Sequence, residues 1–134
     1  MAVKKQLSLS LPNEPGSLAK ACKVLAKAGV NIQAVGVSDS ADVGVVRILT
    51  NNPNDAKRAL ADASIMATPQ DVLVLEAPDK PGALANIAGK LGRAKININY
   101  IYGSACGCSH EPCDKSVLVM SVSDPKEADK ILAD

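Results

Sequence analysis

One short stretch concentrates the side chains best suited to bind or exchange something: Cys106-Gly107-Cys108-Ser109-His110-Glu111-Pro112-Cys113. Three thiols and an imidazole are soft donors, and three cysteines with one histidine form a known structural zinc set. Gly107 and Pro112 help to fold a tight loop, and a bound metal would give such an excursion a reason to be ordered. The spacing argues the other way. Structural zinc pairs are usually separated by two to four residues. Cys106 and Cys108 are separated by one, which suits a single tetrahedral ion poorly if the segment stays extended. An iron–sulfur cluster usually wants four thiolates, and Cys22 falls on the apolar stripe of a helix, where it reads as core. Two further readings stay open. Cys106 or Cys108 exchanges with Cys113 as a redox pair, or the loop is flexible and its thiols stay reduced. His110 is the single histidine of the chain. No Ser-His-Asp set, paired-carboxylate signature or phosphate loop accompanies it, so catalysis is not expected.

The elements that must carry this loop follow from length and composition. At 134 residues the chain fits one ordinary domain or two small ones. Apolar residues make up 47% of it, without Phe or Trp and with two Tyr, so the core is built from Leu, Val, Ile and Ala. A formal net charge of +1 suggests neither a polyanion nor an acidic membrane surface as partner. The N-terminus, MAVKKQLSLS, has no apolar stretch of signal-peptide length, and no run approaches the roughly 18 apolar residues of a membrane span. These features predict a soluble, cytoplasmic protein whose four cysteines form no structural disulfides.

Leu7, Leu9 and Leu11 alternate with Gln6, Ser8 and Ser10, the period of a half-buried strand. Pro12 ends it, and Asn13-Glu14-Pro15-Gly16 is a turn by its chemistry. Ser17 suits a helix N-cap. Leu18, Ala21, Cys22, Leu25 and Ala28 then follow helical spacing, with Lys20, Lys23 and Lys27 on the other face and Gly29 as the stop. Residues 30–37 and 43–50 read as strands joined by a hairpin turn at 38–42. Asn51-Asn52-Pro53-Asn54 opens a second helix, and a short strand at 65–68 precedes Pro69. The order is β-α-β-β-α-β.

The same unit returns 66 residues later. Leu73, Leu75 and Ala77 fall on Leu7, Leu9 and Leu11, and Pro78, Pro81 and Gly82 fall on Pro12, Pro15 and Gly16. Past the hairpin the offset becomes 72, so Pro125 falls on Pro53 and Leu132 on Leu60. Six residues are therefore inserted between Tyr102 and Val117, and they bring the cysteine-rich stretch. An internal repeat of this kind predicts two copies, residues 1–69 and 70–134. Each is of a size at which a lone domain is only marginally stable. The second copy stops inside its last helix, so its fourth strand is expected to be missing, either naturally or by truncation.

Pro12-Asn13-Glu14-Pro15-Gly16-Ser17-Leu18 followed by Gly29-Val30-Asn31-Ile32 resembles the ACT domain, and so does Pro78-Asp79-Lys80-Pro81-Gly82-Ala83-Leu84 with Ile96-Asn97-Ile98. The resemblance covers nearly the whole chain, twice. It implies an α+β fold: two ferredoxin-like repeats side by side in one antiparallel sheet, with the helices on one face. It also implies a regulator that senses a free amino acid where ACT domains meet and controls a partner enzyme in amino-acid metabolism. The loop positions carried over are Asn13, Glu14, Gly16, Ser17 and Leu18, with Asp79, Lys80, Gly82, Ala83 and Leu84. The second strand of a neighbouring domain completes such a site, here Ile32, Gln33, Ala34 and Val35, or Ile98, Asn99, Tyr100 and Ile101.

The loop chemistry agrees with that implication. Glycine lets backbone N–H groups approach a ligand, a helix N-terminus favours a carboxylate, and Asn13 or Asp79 accepts hydrogen bonds from an ammonium. The plainer alternative is that the Pro-Gly turns serve packing alone and that the repeats only associate with proteins. RNA-binding domains of the same topology need aromatic residues on the first and third strands, which are absent here. Copper chaperones need two cysteines in the first loop, also absent. Tyr100 and Tyr102 share one face of their strand, where they pack on the sheet or line an interface. The exposed edges of the second strands invite a homodimer. The competing reading of the whole chain is a metal-binding or redox-responsive interaction module built on the cysteine loop, with zinc as its cofactor.

Overall fold

Leu7 and Leu73 occupy the same place in two separate cores. The computed structural model of the chain describes residues 2–40, 42–104 and 115–133, and the sequence offset of the repeat reappears in it as strand register. Strand β1 (Ala2–Pro12) pairs antiparallel with β3 (Val43–Thr50), placing Leu7 opposite Ile48 and Leu9 opposite Val46. Strand β4 (Ala67–Pro78) pairs antiparallel with β6 (Lys115–Val122), placing Leu73 opposite Met120 and Leu75 opposite Leu118.

The first unit is residues 5–70. Helix α1 (Ser17–Lys27), strand β2 (Ile32–Ser40) and helix α2 (Pro53–Asp62) complete it. Its strands run in the order β2-β3-β1, with the start of β4 beside β1. Leu7, Leu9, Leu11, Val46 and Ile48 of the sheet cluster with Ala21 and Leu25 of α1 and Ala56 and Leu60 of α2. Alternation thus puts one strand face under the helices, and burying each leucine contributes roughly 1.5–3 kcal/mol. Leu18, in the first turn of α1, departs from the expected stripe: it is 41% exposed. Cys22, read as core, is half-buried.

The second unit is residues 71–134 together with residues 2–4. It contains helix α3 (Ala83–Arg93), strand β5 (Ile98–Ser104) and helix α4 (Pro125–Leu132), with strand order β5-β6-β4. Leu73, Leu75, Leu91, Met120 and Ala128 form its core. Among the described residues this repeat has no fourth strand of its own. The first residues of β1 lie next to β4 in that place, and Val3 packs against this core. The short strand expected at 65–68 is likewise longer than read. It runs on through Pro69 to Pro78, so the fourth strand of one repeat and the first strand of the next are one continuous segment.

The helix starts differ from expectation in one respect. Ser17 is not the N-cap of α1. Gly16 is, at φ +90°, and Gly82 repeats it before α3 at φ +88°. Cys106, Cys108, His110 and Cys113 lie outside the described residues, as does Ala41 of the expected hairpin turn. Among the described residues no group of three or more His, Cys, Asp or Glu could hold a metal ion. No described helix is long and apolar enough to cross a membrane.

Candidate functional site

The four helices among the described residues begin in two distinct ways, and the repeat sorts them. Helices α2 and α4 are capped: the Asp55 N–H donates to Asn52 Oδ1 at 3.1 Å, and the Glu127 N–H donates to Asp124 Oδ1 at 3.1 Å. Each also carries an acidic residue in its first turn, Asp55 or Glu127. Helices α1 and α3 have a glycine at the cap, no side-chain hydrogen bond there and no acidic residue in the first turn. Their leading N–H groups and positive dipole ends are thus left without a side-chain partner. The loops before them are held by their own backbone. The Ser17 N–H donates to the Glu14 carbonyl at 3.3 Å, and the Ala83 N–H donates to the Lys80 carbonyl at 3.3 Å.

The glycines serve conformation rather than space. A Cβ at Gly16 or Gly82 would meet nothing within 4 Å, but both sit at a positive φ that side-chain-bearing residues rarely adopt. The turn shape therefore requires them, whether or not a ligand approaches.

In the second unit this loop divides two hollows. On one side, Asp79 and Leu84 line a shallow hollow of about 340 Å³ with Ile101, Tyr102 and Gly103 of β5. On the other, Lys80, Gly82 and Ala83 line a cavity of about 700 Å³ with residues of β4, α3 and β1. The structure thus brings Asp79 and Leu84 beside the second strand of their own repeat, whereas the carried-over site takes that strand from a neighbouring domain. It places Lys80, Gly82 and Ala83 elsewhere, because consecutive residues of a tight turn face different ways. Ile98, Asn99 and Tyr100 are not among the residues lining either space. The Asn99 side chain is occupied within its own sheet: its Nδ2 donates to Ser121 Oγ at 3.3 Å, and its Oδ1 accepts from Asn97 Nδ2 at 2.9 Å.

In the first unit, Glu14, Gly16 and Ser17 line a cavity of about 620 Å³ with Lys20 and residues 63–66. Asn13 and Leu18 do not line it, and neither do Ile32, Gln33, Ala34 and Val35 of the edge strand. The Asn13 N–H donates to the Asp42 carbonyl at 3.0 Å, tying the loop to the turn after β2. Sequence reasoning missed Gly103 as a lining residue. Its signal was a glycine two places past the Tyr100-Ile101 pair, where the first repeat has Val37.

These spaces are of a size for small molecules. Their described linings offer carboxylates, ammonium groups and backbone N–H, without a nucleophile–base pair.

The family model for an ACT domain pair matches residues 1–134. Protein BT0572 from Bacteroides thetaiotaomicron, known from its crystal structure, is 31% identical, with 98% of this chain and 87% of that chain covered and a TM-score of 0.89. The regulatory subunits of aspartate kinase from Thermus thermophilus and Thermus flavus share the fold at 16% and 17% identity, with TM-scores of 0.70 and 0.66. The alignments span 99% and 98% of this chain and 96% and 94% of those chains. No curated protein sequence matches. The chain therefore belongs to the ACT domain family and is a tandem pair of ACT domains.

Proposed function

We propose that this ACT pair is a regulator that senses a free amino acid and controls a partner enzyme in amino-acid metabolism. The observation that carries the reading is the hollow shared by Asp79, Leu84 and Ile101. It joins a carboxylate, the first turn of α3 through Leu84 and an edge strand, and the first two offer partners for the two opposite charges of a zwitterion. Asp79 takes the ammonium and the first turn of α3 takes the carboxylate. The shallowness of the hollow, together with the edge position of β5, suits completion by the edge strand of a second copy. Ligand binding then regulates by favouring the associated form, to the extent that this form binds it better. The fold likeness to regulatory subunits of aspartate kinase supports a regulatory role without naming a ligand.

The test is a thermal-shift screen against the common amino acids, followed by calorimetry on Asp79→Asn. One amino acid should raise the melting temperature, since a ligand that binds only the folded state stabilises it. Its dissociation constant should rise at least about tenfold in the variant, as expected for a lost charged hydrogen bond. A variant that binds as tightly as the parent would remove Asp79 from the site. A screen without any stabilising amino acid would end the sensing reading.

A further inference from the structure

The cavity on the far side of the same loop has a different chemistry. Three lysines from three elements line it: Lys4 of β1, Lys80 of the loop and Lys90 of α3. None of the three is in an ion pair among the described residues. The single carboxylate of the lining, Glu76, has Lys115 Nζ 3.7 Å away. The uncapped start of α3 borders the same space and adds its partial positive charge. About 700 Å³ lies within the range of small-molecule sites.

The other repeat acts as an internal control. Its corresponding cavity has Glu14 where this one has Lys80 and Lys20 where this one has Asn86, so its two charged lining residues cancel. Lys90 falls on Val24, which packs against the first core. The fold therefore forms without these lysines. Three lysines from separate elements around one space offer a bound anion several cationic partners at once.

We infer that the cavity lined by Lys4, Lys80 and Lys90 is a second binding site, for a small molecule carrying at least two negative charges. A phosphate-bearing metabolite and a polycarboxylate share this chemistry. The site shares no lining residue with the hollow at Asp79, so the two ligands bind at separate places beside one loop.

The experiment is calorimetry at low ionic strength with inorganic pyrophosphate and with citrate. At least one should bind the parent protein, with affinity that falls as salt is added. The dissociation constant should rise about tenfold or more in the Lys80→Gln/Lys90→Gln double variant. A control pair on α1, Lys23→Gln/Lys27→Gln, should leave it within about twofold, because neither residue lines the cavity and each change removes only an exposed charge. Binding of pyrophosphate alone assigns a phosphate-bearing ligand, and binding of citrate alone a polycarboxylate. Failure of both anions to bind overturns the site. An equal loss in the control pair overturns it too, since attraction would then be diffuse. Neither result bears on amino-acid binding, which is read at Asp79.

Discussion

Asn31 and Asn51 clasp each other at the end of the first repeat's sheet. The Asn31 N–H donates to Asn51 Oδ1 at 2.9 Å, and the Asn51 N–H donates to the Asn31 carbonyl at 3.2 Å. Asn97 and Ser123 repeat the arrangement: the Asn97 N–H donates to Ser123 Oγ at 2.9 Å, and the Ser123 N–H donates to the Asn97 carbonyl at 2.9 Å. The clasp ties the residue before the second strand to the residue after the third. Asn31 and Asn97 contribute only backbone groups to the clasp, and its side chains are those of Asn51 and Ser123.

Removing the side-chain half of the clasp should be measurable and small. Asn51→Ala and Ser123→Ala should each cost about 0.5–1 kcal/mol, because the freed N–H is exposed and regains water. Urea unfolding curves would read this as a shifted midpoint at constant slope. A loss above about 3 kcal/mol would mean that the clasp does more than close the sheet end.

The two repeats end their first helices with different residues in the same backbone state. Gly29 has φ +74°, and Lys95, 66 residues on, has φ +61°. A side chain in the left-handed region costs about 1 kcal/mol, which glycine avoids. Lys95→Gly should therefore stabilise the protein by up to about 1 kcal/mol, and Gly29→Ala should destabilise it by about as much. Opposite shifts in melting temperature for the two variants would verify this pair.

Much of the architecture could be read directly. Alternating leucines named the buried strand faces, and the change in offset from 66 to 72 located the insertion; the registers Leu7–Ile48 and Leu73–Met120 carry the same two offsets. What escaped was long-range or a matter of direction. Nothing local in Ala2-Val3-Lys4 says that it belongs with residues seventy places away, because strand partnership is a non-local choice. Ser17 has the chemistry of a cap, but the loop needed a left-handed residue one place earlier. Asp79 and Lys80 are neighbours in sequence and were grouped as one site, yet a turn sends them to opposite hollows. Tight turns hide such divergence because residue type does not encode direction.

The contrast between helix starts gives a sharper test. Asn52→Ala and Asp124→Ala should each cost about 1 kcal/mol through loss of a side-chain cap. Ser17→Ala should change stability by less than about 0.5 kcal/mol, since its side chain caps nothing. Chemical denaturation of the three variants would check both statements. A Ser17→Ala loss equal to the other two would mean that the serine hydroxyl caps α1 after all.

Gly103 and Val37 hold corresponding places in the two edge strands but are not interchangeable. A Cβ at Gly103 would lie 2.4 Å from the Val117 carbonyl oxygen and 2.8 Å from Leu118 Cδ2. Val37 stands 57% exposed, so trimming it removes little packing. Gly103→Ala should therefore force β5 away from β6 at a cost of about 1–3 kcal/mol. Val37→Ala should stay within about 0.5 kcal/mol of the parent. Gly103 also lines the hollow with Asp79 and Leu84, so the shift should weaken amino-acid binding there. Hydrogen exchange along β5 and calorimetry with the amino acid found in the screen would be measured together. Faster exchange with weaker binding is the expected result, whereas unaltered exchange would show that the two strands absorb the methyl group without parting.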